Sequence, residues 1–211
     1  TLEKDAKLLE SLGVHFVFAP TPDEMYSAEE MAAPFIFDFN GLDEVMEGKM
    51  RPGHFNGVVQ VVSRLFELVQ PTRAYFGEKD FQQLAIIRYM VERSAMAHLF
   101  HDIQIIGCPI VREKSGLAMS SRNERLSEAE KQTAVAISHT LFSSMDWAKS
   151  APVAAVQQRV IDTINAVDGL QVEYYDIVDK DTLQPTDTWH NAVGCVTVFC
   201  GPVRLIDNIQ Y

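Results

Sequence analysis

Three short stretches hold residue types that could do chemistry on an anionic ligand. The first is "FGEKDFQQL", residues 76 to 84, where a glycine, an acid, a lysine and a second acid separate an apolar run from an apolar-periodic one. Gly77 would let a ligand approach the backbone, and the amides that open the following helix form an anion site strengthened by the helix dipole. Lys79 adds a point charge suited to a polyphosphate. Asp80 could accept hydrogen bonds from ribose hydroxyls, and Gln83, one turn later on the same face, could hold a second polar ligand. The same letters admit a structural use, with Asp80 as an N-cap, Gln83 at the third position of a capping box, and Glu78 with Lys79 as a solvated pair.

In the second stretch, "RPGHFNG" (51 to 57), Arg51 and His54 flank a Pro-Gly turn just before a long helical pattern, so the histidine can start the helix facing a pocket. The alternative is a solvated Arg51 with His54 capping the helix or packing on Phe55. The third, "GLAMSSRN" (116 to 123), sets two hydroxyls and a guanidinium on a loop. That suits a flap closing on phosphate oxygens, with Ser120 and Ser121 donating and Arg122 offering a bidentate fork to charge that builds up in phosphoryl chemistry. A solvated interdomain linker would read the same way. His98 and His101 stand three apart at a helix end with no third ligand cluster nearby, which favours a frayed polar end over a metal site.

The elements that must position these residues follow from periodicity. "TLEKDAKLLESLG" opens inside an amphipathic helical pattern, "VHFVFAP" (14 to 20) reads as a buried strand ended by Pro20, "TPDEMY" as turns, "PFIFDF" (34 to 39) as a second strand, and "GLDEVMEG" (41 to 48) as a short helix closed by Gly48. Apolar residues from Phe55 to Val69 recur at helical spacing. "RAYF" (73 to 76), a helix from Asp80 to about Ala97, and "IQIIG" (103 to 107) make a βαβ unit, hence a parallel sheet with a right-handed crossover. "FGEKD" then falls at the carboxyl end of a parallel strand, where open sheets bind ligands.

Past Pro109 the character changes, and a domain boundary is placed there, giving domains 1–111 and 112–211. Ser127 with Glu130 signs a capping box for a helix to about Trp147, Pro152 opens another to about Val167, and "LQVEYYDIVD", "GCVTVFCG" and "VRLIDN" read as three strands. The fold class is therefore α/β, a Rossmann-like parallel domain followed by a small α+β domain.

Composition narrows the partners. A formal charge of −11 over 211 residues repels a phosphate backbone at long range, which argues against nucleic acid but leaves a small anion open. No apolar run approaches the ~20 residues that a helical membrane span needs. Cys108, Cys195 and Cys200 are odd in number, lack CxxC spacing and read as reduced thiols of a cytoplasmic protein, with Cys195 and Cys200 on opposite faces of one strand.

Together, "RPGHFNGVVQVVSRLFELVQP", "FGEKDFQQLAIIRYMV", "VREKSGLAMSSRNERLS" and the terminal "RLIDN" resemble, in order and spacing, the pantothenate synthetase (pantoate:β-alanine ligase) family. The resemblance is strong over most of residues 1–130 and looser over the tail. It implies a nucleotidyltransferase-type domain, with "MSSRN" similar to a "KMSKS"-type signature. It also implies an ATP-dependent ligase: pantoate attacks the α-phosphorus to give pantoyl adenylate and pyrophosphate, and the amine of β-alanine displaces AMP. Magnesium accompanies ATP, and the family is a homodimer.

Carried over by position, the resemblance assigns Gly77, Lys79, Asp80, Val111, Met119, Ser120, Ser121 and Arg122 to ATP, with Lys79 on phosphates and Asp80 on ribose. It assigns Gln83, Arg51 and His54 to pantoate and the active-site turn, and makes Lys79, Arg122, Ser120, Ser121 and His54 the catalytic set. The family's "PTMGALHxGH"-like segment lies upstream of the first residue here, so the chain reads as part of such a protein, with full activity depending on that segment and a sheet edge left for another segment or chain to cover. Two other readings stand beside it: another superfamily enzyme acting on a different small acid, and a non-catalytic fragment that binds or dimerises.

Overall fold

The amphipathic spacing at the start of the chain does form a helix, α1 (Leu2–Ser11), with none of its residues buried. The computed structural model describes residues 2–211, which divide into two units, one ending at Ile36 and one running from Phe37 to Tyr211. In the first unit "VHFVFAP" is not the expected buried strand: it joins no ladder, and Phe16 is 93% exposed. A β-branched and aromatic run becomes a strand only when a neighbour takes up its backbone groups, and no described strand pairs with it. The expected turns at "TPDEMY" (21 to 26) instead give helix α2 (Pro22–Met25), and helix α3 (Ala28–Ala32) follows. Ser27 caps α3 by a capping box, its Oγ accepting from the Glu30 amide at 3.1 Å while Glu30 Oε2 accepts from the Ser27 amide at 2.7 Å.

"PFIFDF", whose first three residues end the first unit and whose last three open the second, also forms no strand. Phe37 and Phe39 are buried through an edge-to-face ring contact at 4.9 Å, and the Phe37 amide donates to Asn56 Oδ1 instead of to a ladder. Helix α4 (Met46–Met50) contains Gly48 instead of ending on it. A Cβ at Gly48 would land on the Asp43 backbone, so the glycine allows a close chain crossing and is not a cap. Gly53, at φ 80°, turns the chain into α5 (His54–Val69).

Strands β1 (Arg73–Gly77) and β2 (Gln104–Cys108) pair in parallel from Arg73↔Gln104 to Gly77↔Cys108, with helix α6 (Phe81–Glu92) between them, as the βαβ pattern required. The helix stops before Ala97 because the Ser94 hydroxyl competes for the backbone. Its Oγ donates to the Met90 carbonyl at 2.8 Å and accepts from the Met96 amide at 3.0 Å, and a separate turn, α7 (Ala97–Phe100), follows.

A tight hairpin, bridged between Arg112 and Ala118 and turned at Gly116 (φ 98°), leads into a 3₁₀ turn at Ser121–Arg125. Helices α8 (Glu128–Ala148, opened by the Ser127–Glu130 capping box) and α9 (Val153–Asn165, after Pro152) cover an antiparallel sheet of β3 (Leu170–Asp179), β4 (Ala192–Cys200) and β5 (Val203–Gln210), in that order. The main core lies between these helices and this sheet. Central strand β4 is buried along nearly its whole length, which places both Cys195 and Cys200 inside.

Gly194 on β4 is a packing requirement. Its missing Cβ is where the Tyr175 hydroxyl lies, and that hydroxyl meets Tyr211 Oη, itself 2.6 Å from Ser144 Oγ. Gly194→Ala is expected to break this chain of hydroxyls and overpack the sheet, costing about 1 to 3 kcal/mol. That corresponds to a fall in Tm of roughly 3 to 10 °C in a thermal melt, and an unchanged Tm would contradict the packing argument.

Candidate active site

The carboxyl end of β1 releases the chain at Gly77 into the turn Glu78–Asp80 and then α6. The Glu78 amide still donates to the Cys108 carbonyl at 2.8 Å, which fixes where the turn begins. Lys79 leans into a cleft with its side chain 17% exposed, and its Nζ lies 3.5 Å from Asp80 Oδ2. Asp80 makes no capping bond to α6, so its carboxylate is not spent on the helix. The two glutamines that follow divide the work. Gln82 is buried and donates Nε2 to the Leu42 and Val45 carbonyls at 2.7 and 2.9 Å, latching the α4 segment, while Gln83 lines the cleft.

Arg51 and His54 face the same cleft across the Pro-Gly turn, with Arg51 Nη1 3.2 Å from His54 Nε2. A guanidinium only donates, so Nε2 accepts, and the imidazole proton resides on Nδ1. Burial, and then the positive charge of Arg51, hold the His54 pKa below the usual histidine range. The histidine makes no cap for α5, but its ring does pack beside Phe55, at 5.0 Å between centroids.

Arg122 reaches the cleft from the far side. Its Nη1 donates to the Arg204 carbonyl at 3.1 Å. The loop that carries it is no free linker, because Arg112 at its base makes a paired contact with Asp207, 2.6 and 3.0 Å, and the Asn123 Nδ2 donates to Glu113 and to the Ala118 carbonyl.

Six expected site residues therefore meet in one cleft: Arg51, His54, Lys79, Asp80, Gln83 and Arg122. Met119, Ser120 and Ser121 line a different depression, which shares no lining residue with this cleft. The Ser120 Oγ accepts from the Arg122 amide at 3.2 Å, capping the 3₁₀ turn. Gly77 ends its strand outside the cleft lining, and Val111 lies 66% exposed on the hairpin.

Reading the sequence missed the groups that hold these segments together. Arg204 of β5 donates from Nη1 and Nη2 to Glu47 at 2.8 and 2.6 Å, and from Nε to Glu173 at 2.8 Å, with Nη2 also on Glu173. Tyr174 and Thr197 hydroxyls add donors to Glu47 at 2.9 and 3.2 Å. Burial works to raise the Glu47 pKa, but the Arg204 bonds and charge outweigh it and hold the carboxylate below its ordinary range. Burial, then the Glu47 charge, push the Tyr174 phenol up, so it remains a donor. One signal was present: Arg204 and Asn208 in "RLIDN" are an even number of residues apart, which puts two polar side chains on one face of an apolar strand.

A parallel βαβ unit whose helix start opens into a cation-lined cleft, backed by an antiparallel sheet, defines an α/β protein built to hold a small anionic ligand. Comparison with known proteins makes the class particular. Residues 1–210 match the family model for pantoate-beta-alanine ligase, and the chain belongs to that family. It is 56% identical over 214 residues to the pantothenate synthetase of Phocaeicola vulgatus and 55% identical to that of Bacteroides fragilis, covering all of this chain and 73% of each relative. A crystal structure of pantothenate synthetase from Thermus thermophilus superposes with a TM-score of 0.89 at 40% identity, covering 100% of this chain and 74% of that one. The ligase of Francisella tularensis, solved with Beta-gamma ATP and Beta-alanine, gives 0.74 at 29% identity, covering 100% and 70%.

Two outcomes follow from the site geometry. Arg204→Met strands Glu47 beside Glu173 and is expected to cost about 3 to 5 kcal/mol, while adding Glu47→Gln to it recovers part of the loss. The Glu47 pKa in the fold lies below its unfolded value of about 4.3, so its contribution is complete above that pH and vanishes as pH falls through the folded value. Glu47→Gln alone should then flatten the acid-side decline of Tm below about pH 4.3. Separately, an NMR titration of His54 should give a midpoint below ~6.5, and Arg51→Met should raise it. A midpoint unmoved by Arg51→Met would refute the contact.

Proposed function

We propose that this chain catalyses the ATP-dependent condensation of pantoate with β-alanine through pantoyl adenylate, releasing AMP and pyrophosphate. The observation that carries the reading is the convergence of Lys79 and Arg122, distant in sequence, on one cleft that also holds Asp80 and Gln83. Membership of the ligase family supplies the substrates, and the Francisella tularensis complex, described as holding ATP and β-alanine forms, supports the same pair.

Pantoate brings a carboxylate with a reference pKa near ~4, already ionised, so attack on the α-phosphorus needs no general base. One carboxylate oxygen bonds to phosphorus and the bond to pyrophosphate breaks. What the protein must provide is alignment and positive charge. Lys79 and Arg122 meet the phosphates, Asp80 accepts from the ribose, Gln83 holds pantoate, and Arg51 with the neutral His54 completes the pantoate wall. The nucleotide contacts expected of Gly77, Val111, Met119, Ser120 and Ser121 fall outside this cleft lining, at the end of β1, on the hairpin and in the second depression. In the second step the β-alanine ammonium first gives a proton to solvent or to a substrate phosphate, the free amine bonds to the acyl carbon, the acyl–oxygen bond to AMP breaks, and the nitrogen's surplus proton leaves to solvent.

Among the described residues no group of three or more His, Cys, Asp or Glu side chains is arranged to hold a metal. Mg²⁺ therefore fits as a companion of ATP held mainly by its phosphates, where it supplies charge neutralisation, with Asp80 the half-exposed carboxylate at the cleft. We read residues 1–111 as the nucleotide and pantoate domain and 112–211 as the lid domain. The homodimer and the cytoplasmic location come with the family resemblance.

Pyrophosphate release from ATP, Mg²⁺ and pantoate by the full chain carrying this sequence tests the assignment. Release with pantoate supports it, and release with another acid but none with pantoate would refute it. Lys79→Ala should slow that release by about 30- to 1000-fold, the effect of losing ~2 to 4 kcal/mol of charge stabilisation. Its Tm should change little, because among the described residues its ion partner is a half-exposed aspartate.

A further inference from the structure

The last strand carries an amide in an interior position. Asn208 is 3% exposed, and its Nδ2 donates to the carbonyl of Glu78 at 2.8 Å and to that of Lys79 at 3.0 Å. Both partners only accept, so the nitrogen must face them, and the flipped amide would set its oxygen against two carbonyls. Those carbonyls belong to the turn between β1 and α6, where neither the sheet nor the helix ladder takes them up. Asn208 is thus the side chain that closes a turn 129 residues away. Four residues earlier on the same strand, the Arg204 carbonyl receives Arg122 at 3.1 Å.

We propose that Asn208 is a positioning residue for Lys79 in adenylate formation. Its carboxamide fixes the backbone at 78–79 and so aims the lysine ammonium, in a register set by the same strand that receives Arg122. The lysine is a long, flexible cation, and its reach into the cleft depends on where its own peptide is held. Misplacing a charged group by about 1 Å can cost on the order of a hundredfold in rate. The proposal rests on the assignment of Lys79 to the ATP phosphates made above.

The test is a double-mutant cycle in the full chain, with pyrophosphate release as readout and Tm recorded alongside. Asn208→Ala is expected to lower kcat/KM for ATP by about 10- to 100-fold while the KM for pantoate, held by Gln83, stays within about twofold. Combined with Lys79→Ala, it should add almost nothing, because it acts through a group already removed. Asn208→Asp, which turns the donor into a charge facing two carbonyls, should be at least as damaging; should it fail to fold, Asn208→Ala alone decides. Wild-type turnover by Asn208→Ala overturns the proposal. So do losses that multiply in the double variant, which would mark a structural role only. Wild-type turnover by Lys79→Ala overturns the lysine assignment itself, and this proposal with it.

Discussion

One guanidinium between two carboxylates holds the site in register. Arg204 divides its donors between Glu47 and Glu173, with side-chain exposures of 18, 13 and 18% in that order. Burying three charges earns little net stability, since desolvation offsets most of the Coulomb gain. The geometry is the gain. A planar fork accepts few arrangements of its partners, so the triad fixes helix α4 against the antiparallel sheet in one position. Arg51 follows Glu47 by one helical turn, at 3.8 Å, and His54 meets Arg51 at 3.2 Å. The placement of Arg51 and His54 is therefore inherited from the Arg204–Glu47 ion pair.

Strand β5 extends the same logic to the other segments. The Arg204 side chain holds α4, its carbonyl receives Arg122, Asp207 pairs with Arg112 at the hairpin base, and Asn208 closes the Glu78–Asp80 turn. Three loops that bring charge to the cleft are thus referred to one strand. Loops alone could not hold such positions, because ordering each residue's backbone costs about 1 to 2 kcal/mol that local contacts must offset. A paired strand buried in a sheet is already ordered and adds no such cost.

The elements legible in the sequence were those whose pattern and partner lay close together in the chain. The βαβ unit, the Ser127 capping box and the three tail strands all emerged from spacing, and so did the cation-bearing segments around Lys79, Arg51 and Arg122. "VHFVFAP" and "PFIFDF" had strand composition, but composition cannot say whether a ladder exists. One run stays unpaired, and the other buries its rings without pairing. Glu47, Arg204 and Asn208 were hidden for a related reason. Their partners lie 157 and 129 residues away, and no local periodicity encodes a contact at that separation.

These pairings also explain how a chain of charge −11 can present a cleft to anions. At physiological salt, charges on the rest of the surface are screened within about 8 Å, so what a phosphate meets is decided by the groups at the cleft itself. There Glu47 is taken by Arg204, Asp207 by Arg112, and Asp80 lies beside Lys79. Arg122 bonds a carbonyl, and among the described residues no carboxylate forms an ion pair with it. Two of the three acids lining the cleft are neutralised by arginines that serve as scaffold, and the third lies against Lys79. Scaffold and cleft are in this sense one electrostatic arrangement, because an Arg204 that released Glu47 would loosen α4 and, in the same event, return an unpaired carboxylate to the cleft lining.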